Sequence, residues 1–445
     1  MNKKFYGSLF LILIFLSAPT VFAQSVDGGA AGATDTIAAG EEGAPLVLGP
    51  AEAFERAYRH DLSRWQQSRD VDLAEQKRRW RYLQLLPQLE AEAVLLSFEQ
   101  VPSQWQSDLS AVLSLTFNAA SLAELKTAEL GYHAAAAGLA AYRSEYRADV
   151  YRDYYNLLLL QEEQALQKKQ LESARARLEA AHYDFESGRI SEYELLSAQL
   201  SVQEQAPQLE STQIKYRSAV RRFKQELGLP EVQVLELNAS LQDIPFKVGP
   251  AKEIIAGLPD SPGIEAQVVE VARQRLNSRM VHTRFLPQLR LSLTRGAVNS
   301  FQGEGFSEYD SSRYAFSLSF TFNDLLPGSE YRNARHSAET QLESAVRSLD
   351  QSLQDRRTMV EETAAKLQKV RRDIEAAELR LELAERFYEI AQTEYENGRR
   401  DLLEVEEAEL QRGEARLNLL RAYYSRIDLL ITLARYSSEG ATRLR

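Results

Sequence analysis

Tyr395-Glu396-Asn397-Gly398-Arg399 repeats, residue type for residue type, what stands at Phe185-Glu186-Ser187-Gly188-Arg189. Each pentapeptide closes a long stretch of helical periodicity, and glycine suits a helix C-terminus followed by a reversal of the chain. Both are read as tips of helical hairpins, at Gly188 and Gly398. Two further echoes lie upstream. Leu85-Leu86-Pro87-Gln88-Leu89 returns as Phe285-Leu286-Pro287-Gln288-Leu289, and Ser114-Leu115-Thr116-Phe117-Asn118 returns as Ser319-Phe320-Thr321-Phe322-Asn323. The offsets are 200, 205 and 210 residues, so the halves differ by short insertions between landmarks. That is the pattern of a tandem internal duplication.

Working back from the tips, heptads are explicit. Ile374, Leu381, Tyr388 and Tyr395 recur every seven residues, interleaved with Ala377, Ala384 and Ala391, and the first half copies this with Leu171, Leu178 and Phe185 against Ala174 and Ala181. One seam is large and one small, which lets helices approach closely side by side. From Ala119 to Leu227 only Pro207 interrupts, and from Tyr331 to Tyr436 there is no proline. A continuous helix over Ala119 to Ser187 would extend roughly 100 Å at about 1.5 Å per residue.

Ahead of each helical stretch the period changes to two. Leu109, Ala111, Leu113, Leu115 and Phe117 alternate with Ser110, Val112, Ser114 and Thr116; Leu289, Leu291 and Leu293 alternate with Arg290, Ser292 and Thr294. Tyr314, Phe316, Leu318, Phe320 and Phe322 alternate with Ala315, Ser317, Ser319 and Thr321. Strands are expected near 89–98, 109–117, 288–295 and 314–322, each about ten residues, the length of a tilted strand crossing a bilayer. The first is the loosest, since Glu90 and Glu92 share a face with Val94, Leu96 and Phe98. The polar runs Pro102 to Ser107 and Gln302 to Ser311 are expected as loops, with Trp105, Phe301, Phe306 and Tyr309 near the outer strand ends. Trp65 and Trp80 are expected to pack beneath the sheet.

Residues 1–23 carry Lys3, Lys4, an apolar run from Leu9 to Leu16 and Val21-Phe22-Ala23 before Gln24, the pattern of a cleaved secretory signal. Residues 24–50 have no periodicity and read as a flexible leader. The first repeat then spans 51–230, opening with a helix from Ala51 to Leu83; a linker spans 231–262, the second repeat 263–437 and a tail 438–445. With Cys 0, disulfides, thiolate metal sites and a lipidated N-terminal cysteine are excluded. Past the signal no apolar run reaches the roughly 18 residues of a membrane-spanning helix. A net charge of −11 argues against a general nucleic-acid binder. The five histidines lack ligand spacing, and no nucleophile elbow or phosphate-binding glycine loop is present. No cofactor, metal site or enzymatic activity is expected.

With both Leu-Pro-Gln-Leu strand starts and both Gly-Arg tips in view, the chain resembles the TolC-like outer-membrane efflux family, from about Leu48 to Tyr436. The resemblance implies a mixed α/β membrane protein: a homotrimer in which each protomer gives four strands to one twelve-stranded transmembrane β-barrel, continuous with a periplasmic α-helical coiled-coil barrel. It implies an outer-membrane location, a periplasmic adaptor and an inner-membrane pump or ABC transporter as partners, and outer-membrane lipid around the strands. Strand count points the same way, because four strands cannot close a barrel and open edges are not tolerated in lipid. Carried over residue by residue, the resemblance places an aperture gate on Glu194, Tyr395 and Arg400. The family has aspartate where Glu194 stands. An acidic ring falls on Glu404 and Glu407, which would favour cations in a narrow pore. The blander reading makes these residues the solvated face of a coiled coil. The leading functional expectation is a passive exit duct for tripartite efflux or type I secretion. The alternative is an exported envelope scaffold without channel activity, which would have no use for four strands with one apolar face.

Overall fold

The computed structural model describes residues 45–97, 105–117, 119–243, 248–283, 288–302, 305–319 and 329–436. The expected signal segment, most of the leader and the tail lie outside the described residues. Two compact units are distinguished. Of the first, residues 45–47 and 230–236 are described, and within it the Leu46 N–H donates to the Val234 carbonyl at 2.8 Å. Short strands β1 (Leu46–Leu48) and β4 (Leu235–Leu237) pair in a two-stranded sheet. Residues 46–48, read as leader, are thus extended and paired, because the apolar Leu-Val-Leu triplet is too short to show a period but long enough to find a partner strand far along the chain.

The second unit holds everything else. Helices α1 (Pro50–His60) and α2 (Leu62–Arg79) replace the single helix expected over 51–83. The break is at Asp61, whose carboxylate accepts from the Arg64 N–H at 2.6 Å and so caps a new helix. A short 3₁₀ turn, Arg81–Leu85, leads to β2 (Gln88–Ser97), β3 (Trp105–Phe117), α3 (Ala119–Glu186, 68 residues) and α4 (Glu192–Glu226, 35 residues). After α5 (Ala251–Gly257) the same order recurs: α6 (Pro262–His282), β5 (Gln288–Gln302), β6 (Gly305–Ser319), α7 (Glu330–Glu396, 67 residues) and α8 (Leu402–Tyr436, 35 residues).

Strands β2-β3-β5-β6 form one antiparallel sheet in that order, which leaves β2 and β6 as edges. β3, β5 and β6 are longer than the sequence period implies. Residues 305–311, expected as loop, are strand, because the backbone ladder continues past the point where apolar alternation fades. The register stacks like with like: Leu89 faces Leu113, which faces Leu293, which faces Tyr314; Leu115, Leu291 and Phe316 form the next row, and Leu289 and Leu318 pair below them. These side chains make one apolar face, opposite Glu90, Glu92, Ser114, Thr116, Arg290, Ser292, Thr294 and Ser317. The apolar face is not covered by the protomer: Tyr314 is 81% and Phe316 69% exposed. Trp105, Phe301 and Phe306 occupy a single row at the far end of the sheet.

The core lies among the helices. Val150, Tyr154, Tyr155 and Leu157 on α3 are buried, with Phe223 and Leu227, and the Tyr154 hydroxyl donates to the Leu48 carbonyl at 2.9 Å. On α7 the alanine seam is the deeper one: Ala377, Ala384 and Ala391 are buried while Leu381, Tyr388 and Tyr395 are partly exposed. Trp65 and Trp80 are each a little more than half exposed in the protomer. Among the described residues no helix is long and apolar enough to cross a membrane.

Candidate gate at the hairpin tips

Each long helix ends in the same device. At the first tip the Gly188 N–H donates to the Phe185 carbonyl at 2.9 Å and the Arg189 N–H to Asp184 at 2.7 Å; at the second, Gly398 donates to Tyr395 and Arg399 to Glu394, both at 2.8 Å. This pair of bonds is the Schellman closure, which needs a left-handed residue. The glycines supply it with φ of 69° and 66°.

Three residues were expected at an aperture, and the protomer brings only some of them together. Tyr395 is half-buried and, with Leu178 and Ile190, packs against the buried cluster of Ala181, Leu195, Ala198 and Leu402, and its hydroxyl donates to the Asp184 carboxylate on α3 at 3.4 Å. Burial first, then the Asp184 charge, raise the phenol above its ordinary 10.0. Arg400 is exposed in the turn before α8, where its Nε donates to Glu394 and a terminal nitrogen lies 2.9 Å from Glu404. Glu194 is engaged locally: its carboxylate accepts from the Ser191 N–H at 2.7 Å and hydroxyl at 2.8 Å, closing a capping box at the start of α4. No ion pair joins Glu194 to Arg400 among the described residues of one protomer. Glu404 and Glu407 are both exposed on α8, and Glu404 is partly neutralised by Arg400.

The buried acids of α8 are two others that the sequence pattern did not single out, Glu406 and Glu409. They are 6% and 4% exposed. The Glu409 carboxylate pairs with Arg177 and accepts from the Ser173 hydroxyl at 3.2 Å and from Arg412 at 3.3 Å. Glu406 accepts from the Ser197 hydroxyl at 3.3 Å, and burial holds its carboxyl above the usual 4.5. Desolvation also lowers Arg177. The signal was present: Leu402, Val405, Glu409 and Gly413 follow one helical stripe, so an acid at 409 falls on a core position. Higher up, Glu163–Arg421 at 3.0 Å, Arg152–Asp428 at 2.8 Å and Glu145–Arg435 at 2.6 Å continue the polar seam between α3 and α8. The three arms from α8 recur every seven residues. Two hairpins are thereby joined along their length by charge pairs and at the tip by one phenol. No group of histidine, cysteine or acidic side chains among the described residues could hold a metal ion.

Residues 258–438 match the family model described as outer membrane efflux protein. No curated protein matches the sequence. Among solved structures, the Campylobacter jejuni CmeC outer membrane channel aligns with a TM-score of 0.73 at 17% identity, covering 88% of this chain and 86% of that one. The Vibrio cholerae outer membrane protein VceC gives 0.73 at 16%, over 87% and 95% of the two chains. The open state of the Neisseria gonorrhoeae MtrE outer membrane channel gives 0.68 at 16%, over 87% and 88%. The resemblance to TolC-like outer-membrane efflux proteins is thereby borne out, by sequence over residues 258–438 and by a shared fold over nearly nine-tenths of the chain.

Proposed function

We propose that the chain is one protomer of a homotrimeric efflux channel of the outer membrane, a passive exit duct for substrates delivered through a periplasmic adaptor from an inner-membrane pump or ABC transporter. The observation that carries this reading is the four-stranded sheet: one face apolar and uncovered across the rows from Leu289 to Leu293, two edges left open, and helices of about 100 Å attached at one end. An apolar sheet face is stable in lipid, but an open edge there strands backbone N–H and C=O groups at a cost of several kcal/mol each. Three copies pooling twelve strands remove every edge. The hairpins offer matching surfaces for neighbours, since Leu379, Leu383, Phe387 and Ile390 on α7 and Tyr193, Leu196 and Leu200 on α4 are exposed at helical spacing. In this reading the two halves are a tandem duplication, the aperture lies at Gly188 and Gly398 with Glu194, Tyr395 and Arg400 as its gate, and Glu404 and Glu407 face the pore.

Support for a duct over a scaffold comes from the same apolar face, which a soluble scaffold would have to hide. The test is extraction in mild detergent, mass measurement by light scattering and reconstitution into planar bilayers. Trimers giving discrete, cation-selective conductance are expected. A stable inserted monomer, or trimers that never conduct, would overturn the proposal.

A further inference from the structure

We propose that the segment joining α2 to β2, Lys77 to Leu86, is a collar that binds the phosphate headgroups of the membrane leaflet on the helical side of the barrel. The inference rests on the outer-membrane reading above. The sequence runs Lys77-Arg78-Arg79-Trp80-Arg81-Tyr82-Leu83, then Leu85-Leu86-Pro87, and passes directly into β2. Charge comes first, aromatic rings next and aliphatic side chains last. A chain entering a bilayer meets phosphate, interface and hydrocarbon in that order.

Packing within the protomer does not account for these side chains. No residue of α2 is buried, and Trp80, Tyr82, Leu83 and Leu86 are 54, 58, 53 and 54% exposed. The segment is nevertheless held in place: Arg78 lies 4.0 Å over the Tyr132 ring of α3, and Arg81 pairs with Glu129 of α3 at 3.3 Å while stacking 5.1 Å over Tyr82. Lys77 is exposed, and Arg79 has only an exposed, 3.9 Å approach to Glu75. Cations at a helix C-terminus are favoured by the helix dipole. That explains basic residues in the last turn of α2 but not the exposed aromatic and leucine side chains that follow. The collar is also continuous with the sheet's apolar face, because Pro87 lines the same open concavity, about 460 Å³, as Leu113, Leu115, Leu291 and Phe316. A surface that passes from lipid-facing leucines through tryptophan and tyrosine to unburied arginine and lysine fits a phospholipid leaflet, with its phosphates at the level of Lys77 and Arg79.

The chain has three tryptophans, so Trp65→Phe with Trp105→Phe leaves Trp80 as sole reporter. The full-length protein is reconstituted into phosphatidylcholine vesicles with and without phosphatidylglycerol, using acyl chains brominated at shallow or deep positions. Trp80 emission should be quenched most by the shallow bromines. Spin-labelled phosphatidylglycerol should associate with the wild-type protein in preference to spin-labelled phosphatidylcholine. Lys77→Gln with Arg79→Gln should lower that preference by up to about fivefold per charge removed, as should 1 M salt. Conducting protein with unquenched Trp80 and no lipid preference overturns the collar and leaves the channel reading standing. Trp80 emission that responds to assembly but not to brominated lipid overturns it in favour of a contact between copies. Failure of the chain to insert at all overturns both readings. Should the double variant misfold, the depth profile of Trp80 still decides.

Discussion

Tyr395 on α7 donates its hydroxyl to Asp184 on α3 across 3.4 Å, and this contact ties the second hairpin to the first within one turn of both tip glycines. Beside it the tips are joined by the small apolar cluster of Ala181, Leu195, Ala198 and Leu402 and by the Ser197–Glu406 hydrogen bond. Tyr395→Phe keeps the ring and removes the donor, so stability should fall by only about 0.5–1.5 kcal/mol. A tip that parts more readily should also show higher resting conductance in planar bilayers. Asp184→Asn should behave alike, and unchanged conductance in both would detach this contact from gating.

At the proposed aperture, where Glu194 of one protomer would meet Arg400 of the next, Arg400→Ser with Glu194→Ala should raise resting conductance without lowering trimer yield, because such an exposed pair contributes only about 0.2–1 kcal/mol yet acts three times around one axis. Glu404→Gln with Glu407→Gln should instead lower cation selectivity and weaken block by multivalent cations. Conductance, selectivity and block all unaffected would make these residues the solvated face of a coiled coil.

Glu409 is buried against Arg177, and breaking such a pair by removing one partner costs about 3–5 kcal/mol. Glu409→Leu should therefore be among the most destabilising single changes in the helical region, read as a lowered thermal midpoint. Combining it with Arg177→Met should restore much of the loss. A double variant no better than the single would show that the carboxylate is held by Ser173 and Arg412 rather than by Arg177.

Glu406 gives a pH signature of defined sign. Its carboxyl is raised above 4.5 by burial, opposed by the Ser197 hydroxyl and the Arg177 charge. Below 4.5 the acid is neutral in folded and unfolded chains alike; as pH rises through the folded value, the folded chain must ionise a buried group and stability is lost. Glu406→Gln mimics the neutral acid. It should be more stable than wild type at pH 7, with the advantage shrinking toward pH 4 in thermal melts. A variant less stable at pH 7 would contradict the assignment.

Gly188 and Gly228 separate conformational strain from crowding. Both have positive φ, 69° and 64°, but a Cβ at 188 meets open space while one at 228 would come within 2.5 Å of the His60 ring. Gly188→Ala should cost roughly 1–2 kcal/mol for the left-handed backbone alone. Gly228→Ala should cost clearly more, and His60→Ala should recover the difference; equal costs would mean that His60 moves freely aside.

The heptads of α3 and α7, the strand alternation of β3, β5 and β6 and the two glycine tips were legible in the sequence because each is a local pattern: a period of seven, a period of two, or one residue that tolerates positive φ. Family resemblance followed from the order of those patterns. The division of 51–83 at Asp61, the pairing of Leu46–Leu48 and the length of β6 were less legible, since a cap or a ladder bond depends on which partner the chain places nearby. At the tips the difference is sharpest. Tyr395 could be singled out from its place in a repeated motif, but its partner Asp184 lies 211 residues away. Sequence spacing marks Glu409 as a core position without saying what neutralises it; only the folding of α3 beside α8 brings Arg177 and Ser173 there. Charge on a helix surface looks the same in a sequence whether water or an arginine from another helix surrounds it, and burial alone makes the two cases differ by several kcal/mol.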